Sequence, residues 1–303
     1  KIYCMKKLFY LGIWFLRARL FGRKRPLQTV LFISDECNLR CKHCSVYKLE
    51  NPHSKKYNQV KEELLYSYRL GSRFVDFEGG EPLMWKDGEK RINDLIVLAK
   101  EIGFFSTTVT TNGQFPISDS KADSIWVSLD GLGSYHDEIR GKGVFNRLCT
   151  HISESKHKDL SVNMVINSKN YLSVKETIEF AKDNKAVKSI SLNFYTPSSL
   201  NDDELFLDWN KRNETIDDII YMKKKGYPIM NSISGLKYMK TNNFKKYCWI
   251  SNFILPDGSR YDTCPLESLN VCQRCGYCMA GEMTSVFYFK PDTIFSAMKL
   301  RFK

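Results

Sequence analysis

The chain has 303 residues, 43% of them apolar, which is enough for one large domain, or one large and one small, with a real core, so disorder is not the expectation. Lys plus Arg exceed Asp plus Glu by 46 − 34 = +12, a balance that fits an anionic partner or an uncommitted basic surface. Ten cysteines, clustered at short spacings and without an export signal, exclude a disulfide framework as the first expectation and favour metal or cluster ligation.

At the N-terminus Met5-Lys6-Lys7 precedes an apolar stretch over 8–16, but Arg17, Arg19, Arg23, Lys24 and Arg25 follow and no small-residue cleavage site does. Nine positions are too few for a span of about 20 residues. The segment instead reads as a basic amphipathic helix over 5–21, with Leu8, Leu11, Trp14 and Phe15 to one side. Two roles are open to it: lying at a membrane interface, or covering one end of the fold. The expected location is cytoplasmic, at most peripheral on the inner face of the membrane.

From residue 29, β-rich runs alternate with helical patterns. Strands are expected at 29–34, 74–77, 107–110, 125–129, 161–166 and 188–194, and helices at 60–71, 91–102, 145–156 and 173–182. Six strands with intervening helices make a parallel α/β architecture, either an open doubly wound sheet or a partial barrel. A polar stretch over 196–207 reads as a loop before a helix at 208–226. A boundary is placed near residue 240, because five of the ten cysteines lie beyond it.

Directly after the first strand, Cys37-Asn38-Leu39-Arg40-Cys41-Lys42-His43-Cys44 has the spacing C-x3-C-x2-C. Three thiolates on one loop can hold three irons of a [4Fe–4S] cluster and leave the fourth open to another ligand. A zinc site is the alternative, and it would need a fourth ligand for which His43 is the only close candidate.

This loop resembles that of the radical S-adenosylmethionine (SAM) superfamily, with His43 where an aromatic residue is usual, and the resemblance extends over about 29–195. It implies a partial (β/α)6 TIM-type barrel. Gly79-Gly80-Glu81-Pro82 after the second strand matches the segment that contacts the SAM amino group, and adjacent glycines allow close backbone approach. Asn112, Ser128, Asp130 and Asn163 fall at or near strand ends where such barrels keep their ligands. The resemblance gives Ser128 the SAM carboxylate or ribose, Asp130 a partly structural role and Asn163 the ribose. The run from His136 to Phe145 matches the family's HDxxRGxGxF pattern, and its Arg140 is given the methionine carboxylate.

In the last part, Cys248, Cys264, Cys272, Cys275 and Cys278 flank a turn at Pro256-Asp257-Gly258. This resembles the auxiliary-cluster domains called SPASM or, when shortened, twitch, and implies one auxiliary [4Fe–4S] cluster with one cysteine to spare, among Cys272, Cys275 and Cys278. A structural zinc is the rival. Cys4 and Cys149 read as free thiols.

The resemblance therefore implies three parts: 1–28, a basic N-terminal helix; 29–240, the barrel; 241–303, the auxiliary-cluster segment and tail. It implies reductive cleavage of SAM to a 5′-deoxyadenosyl radical, with hydrogen abstraction from a substrate and electrons from a flavodoxin or ferredoxin. A peptide or protein is the first expected substrate, although the start of the barrel motif at Cys37 leaves little room for a separate leader-binding domain. A lipid or lipid-linked intermediate is the alternative, since some radical SAM enzymes of hopanoid biosynthesis begin with a similar helix. An iron–sulfur electron carrier has no need of the later segments, glycyl-radical activating enzymes place extra clusters near the first motif, and no nucleic-acid-binding module is evident. No catalytic acid or base stands out.

Overall fold

The computed structural model describes residues 2–44, 52–199, 201 and 204–301. Helix α1 (Ile2–Leu20) leads into β1 (Gln28–Phe32), α2 (Tyr57–Leu70), β2 (Phe74–Glu78), a small hairpin of β3 (Lys86–Asp87) and β4 (Lys90–Arg91), and α3 (Ile92–Ile102). There follow β5 (Ser106–Thr111), β6 (Ser124–Ser128), α4 (Ser134–Arg140), α5 (Val144–Glu154), β7 (Leu160–Ile166), α6 (Val174–Asp183), β8 (Val187–Phe194), α7 (Trp209–Lys224) and α8 (Ile233–Thr241). The chain then adds β9 (Ser251–Ile254), β10 (Arg260–Tyr261), α9 (Cys278–Phe287) and α10 (Pro291–Arg301).

One sheet of eight strands runs β10-β9-β1-β2-β5-β6-β7-β8, parallel except for the β9–β10 hairpin. It curls as a partial barrel and is not closed. The strands alternate: Val75, Phe77, Val109, Ile125, Val127, Val162 and Met164 are buried, whereas the intervening Asp76, Glu78, Thr110, Ser128, Asn163 and Asn193 stay partly accessible. The apolar set packs under the crossover helices, and the polar set lines the concave face. The segment 241–303, set apart in the sequence, contributes β9 to this sheet, beside β1 in parallel register.

Helix α1 sits where the parallel strands begin. Tyr10 donates to the Gly71 carbonyl and packs edge-on against Phe105, and Trp14 donates to the Arg25 carbonyl at 2.8 Å. Trp14 also joins Ile250 and Phe287 in a small buried cluster. The helix thus covers the N-terminal end of the sheet. No helix among the described residues is long and apolar enough to cross a membrane.

Candidate active site

The C-terminal ends of β1, β2, β5 and β6 each feed one motif into a single region. Glycines 79 and 80 are dictated by what they touch. A Cβ at Gly79 would lie 2.3 Å from the Ser34 carbonyl oxygen, and one at Gly80 would lie 2.0 Å from that of Glu36. The Gly80 N–H donates to Ser34 O at 2.7 Å and the Glu81 N–H to Glu36 O at 2.8 Å. The Gly-Gly turn is therefore clamped to the backbone that leads into the cysteine loop. Close approach is required as expected, but chain meets chain there.

Glu81 accepts three hydrogen bonds. It takes N–H groups from Asn112 at 2.7 Å and Leu83 at 3.0 Å and the Thr111 hydroxyl at 2.7 Å. By holding Thr111 and Asn112, Glu81 aims the Asn112 amide, which donates to Asn38 Oδ1 at 2.8 Å and lies 3.7 Å from Cys37 Sγ. Pro82 opens a short 3₁₀ turn that Glu81 caps.

On the other side of the loop, Asp130 is fully buried at the end of β6. Its Oδ2 meets Arg140 Nε at 2.7 Å and His43 Nε2 at 3.7 Å, while Oδ1 accepts the Val165 N–H at 2.9 Å. Burial pushes the Asp130 carboxyl up, but Arg140, His43 and His136 outweigh it and hold the group below its usual value. Arg140 then presents Nη1 3.8 Å from Cys41 Sγ. His43 faces Asp130 and not the thiols of its own loop, and burial lowers its pKa. His136 accepts the Asp130 N–H at 3.1 Å, and burial followed by Arg140 lowers it to about 4, so it is neutral at pH 7.

Burial raises the Cys37 thiol and pushes that of Cys41 up to about 11; Cys44 adds to both shifts, and Cys37 to that of Cys41. The three sulfurs thus share one local field, with N–H donors from Leu39, Asn112 and Arg140 directed at two of them. Such an arrangement suits a cluster whose charge is spread over several thiolates. Among the described residues, no three His, Cys, Asp or Glu side chains converge to hold a single metal ion.

Ser128 and Asn163 are neighbours across the β6–β7 pairing on the concave face, and Asn163 Oδ1 accepts from Asn193 Nδ2 at 3.0 Å. Asn193 in turn accepts the Cys278 N–H at 3.0 Å. The C-terminal cysteine segment is docked on the end of β8: a Cβ at Gly276 would fall 1.9 Å from the Phe194 carbonyl oxygen, whose own N–H donates to Gly276 O at 2.9 Å.

Burial drives the Cys248 and Cys264 thiols up to about 12 and 11, and both shifts are reinforced by Cys275 and Cys272. Cys278 is different: it packs in the main hydrophobic core, and its cysteine influence is confined to Cys275. Cys149 is a partly buried free thiol, and the side chain of Cys4 lies outside the described residues.

Two further residues escaped the sequence reading. Glu78 ends β2 with Thr110 Oγ1 at 3.5 Å, and burial together with Asp76 pushes it up to about 7. Tyr277, about half exposed in the C-terminal cysteine segment, has its hydroxyl pKa raised by burial and then by Cys264, Glu78, Cys275 and Cys44, so cysteines of both groups act on it. Asp76 and Glu78, alternate acidic residues on an otherwise apolar strand, were the available signal for the first.

The sequence model described as the Radical SAM superfamily matches residues 31–181. The chain is 30% identical over 150 residues to a GTP 3',8-cyclase of Psychromonas ingrahamii, covering 45% of this chain and 43% of that protein. It is 27% identical over 179 residues to a Fe-coproporphyrin III synthase of Methanosarcina barkeri, covering 54% and 43%. It thus spans less than half the length of these curated relatives. Among solved structures, Streptococcus suis SuiB bound to precursor peptide SuiA superposes with a TM-score of 0.63 at 19% identity, over 89% of this chain and 66% of that one. Native anSMEcpe with bound AdoMet and Kp18Cys peptide gives 0.61 at 16%, over 92% and 84%. These two likenesses establish the fold. With a superfamily match that runs from β1 into α6 on that fold, the chain belongs to the radical SAM superfamily and is an enzyme of that superfamily.

Proposed function

We propose that Cys37, Cys41 and Cys44 hold the [4Fe–4S] cluster that the family implies, and that the enzyme modifies a peptide or protein entering at the C-terminal end of the barrel. The observation that carries the cofactor reading is the convergence of Asn112 on Cys37 and of Arg140 on Cys41, from opposite sides of one loop. When bound, the cluster and SAM supply one-electron cleavage of a sulfonium bond and hence a 5′-deoxyadenosyl radical.

The chain's own part is orientation. Arg140, fixed through Nε by Asp130, offers its remaining N–H groups to a carboxylate. Gly79, Gly80, Glu81 and Pro82 set the turn that faces the cysteine loop, Asn112 and His43 border it, and Ser128 and Asn163 offer a hydroxyl and an amide to a ribose. Glu78 can hold or give up a proton near pH 7 on the face where a substrate would lie. A flavodoxin or ferredoxin is the electron donor in this reading.

Cys248, Cys264, Cys272 and Cys275 are assigned to an auxiliary cluster within the segment 241–303, and Cys278 is the spare. Their mutual influence and the position of Cys278 in the core support that division. The peptide substrate is supported by SuiB and anSMEcpe, each solved with a bound peptide and each matching about nine-tenths of this chain. The test is anaerobic incubation with SAM, reductant and candidate peptides, scored for peptide mass change alongside deoxyadenosine. Turnover of GTP or a porphyrin with every peptide inert would replace the substrate class and leave the cofactor reading intact.

A second reading concerns location. Opposite its packed face, α1 exposes Met5, Phe9, Leu16 and Leu20, with Lys6, Arg17 and Arg19 beside them, a pattern suited to an anionic membrane surface. Because α1 covers the N-terminal end of the strands, this contact would turn the site's opening away from the bilayer. Attachment and a lipid substrate are therefore separate questions. Flotation with anionic vesicles should be lost in Phe9→Glu/Leu16→Glu, and equal flotation of both proteins would remove this reading.

A further inference from the structure

Arg212, near the start of α7, is 1% exposed. Its Nη2 donates to the carbonyls of Cys275 at 2.9 Å and Met239 at 3.2 Å, and the guanidinium lies 4.6 Å from the ring centroid of Phe194 and 4.7 Å from that of Trp209. Nε and Nη1 are buried with no hydrogen-bond partner. Among the described residues no carboxylate favours its charge; the groups that would, once ionised, are the sulfurs of Cys278 and Cys275.

A guanidinium keeps its proton in almost any surroundings. Burying it without an anion is costly, and two aromatic faces return only part of that cost. They do nothing for two stranded N–H groups. Among the described residues, the anion that would complete the site can come only from the adjacent cysteines, and thiols become anionic on binding metal.

We infer that Arg212 is the fixed counter-charge of a redox-active metal–thiolate centre at the C-terminal cysteines, and that it raises the reduction potential of that centre. The inference rests on the auxiliary-cluster assignment above. Adding one electron from an external reductant makes the centre more negative by one charge, and a buried cation favours that state. Arg212 is in this sense a positioning residue, acting through the centre and not on substrate.

The experiment uses the full chain carrying Cys37→Ala/Cys41→Ala/Cys44→Ala, reconstituted anaerobically with iron and sulfide, so that only the second centre is read. Its midpoint is followed by redox titration with electron paramagnetic resonance, for Arg212, Arg212→Gln and Arg212→Lys. The Gln variant should shift to more negative potential, with about a tenfold lower reduced-to-oxidised ratio at fixed potential, or about 59 mV for a one-electron couple. The Lys variant, which keeps the charge, should recover most of the shift.

An unchanged midpoint in the Gln variant, with iron retained, overturns the inference and leaves the cluster assignment standing. A Lys midpoint displaced as far as that of Gln overturns it too. If the Gln variant loses its iron, retention by Lys supports the counter-charge and loss from both contradicts it. Absence of a second iron centre from the Arg212 protein, or zinc in its place, removes the assignment and the inference together.

Discussion

Arg140 Nε and Asp130 Oδ2 meet at 2.7 Å with both side chains shielded from solvent, and the same carboxylate reaches His43 of the cysteine loop and the backbone of β7. One buried anion thus joins three segments of the site. Removing it leaves a buried guanidinium without its partner, which costs about 3–5 kcal/mol. Asp130→Ala should show that loss in urea unfolding, and Asp130→Asn, which still accepts the Val165 N–H, should lose less. A loss below about 1 kcal/mol in the Ala variant would contradict the account.

Gly80 is the position least tolerant of a side chain near the cysteine loop, because a Cβ would sit 2.0 Å from Glu36 O. Gly80→Ala must push the turn off the loop and break the paired backbone hydrogen bonds that hold it. Anaerobic reconstitution should yield at most half the wild-type iron at the first site, with the far-ultraviolet circular dichroism retained. Full iron loading in the variant would show that the loop does not depend on the turn.

The division of the C-terminal cysteines is open to direct assay. Cys275→Ala should lose the second complement of about four irons, whereas Cys278→Ala should keep it and lose about 1 kcal/mol of stability from the vacated core volume. Iron lost from both variants would make Cys278 a ligand.

Glu282 accepts the Ser232 N–H at 2.8 Å, and burial pushes its pKa from 4.5 to about 7. The folded state therefore holds this proton more tightly than the unfolded state. Its stabilising effect is complete below about pH 4.5, declines as pH rises to about 7, and is absent above. Glu282→Gln, neutral throughout, should be more stable than wild type by about 1–3 kcal/mol at pH 8 and equal to it near pH 4.5. Denaturant melts at the two pH values check this, and a difference of the same size at both would contradict it.

The six barrel strands and most crossover helices were legible, because short β-rich runs, alternating most clearly in β7 and β8, are separated by helical patterns that carry their own apolar stripe. The expected strand at 161–166 is β7 to within one residue, and Asp208, the first residue of the helix expected at 208–226, caps α7. What the sequence did not show was tertiary. The pairing of β9 with β1 joins segments more than 200 residues apart and leaves no local mark. The purpose of Gly79 and Gly80 also depends on where Ser34 and Glu36 come to lie. Arg212 carried no mark in the sequence, since its burial against Cys275, away from carboxylates among the described residues, exists only in the folded chain.

The central claim is that the site at the ends of β1, β2, β5 and β6 cleaves SAM by one-electron chemistry at the Cys37, Cys41 and Cys44 loop. The most direct measurement is 5′-deoxyadenosine formed on anaerobic incubation of the reconstituted protein with SAM and dithionite, beside the variant with all three cysteines changed to Ala. The account predicts deoxyadenosine from the wild-type protein and none from the variant. A wild-type protein that carries its full iron and forms no deoxyadenosine, or a variant that forms as much, would contradict it.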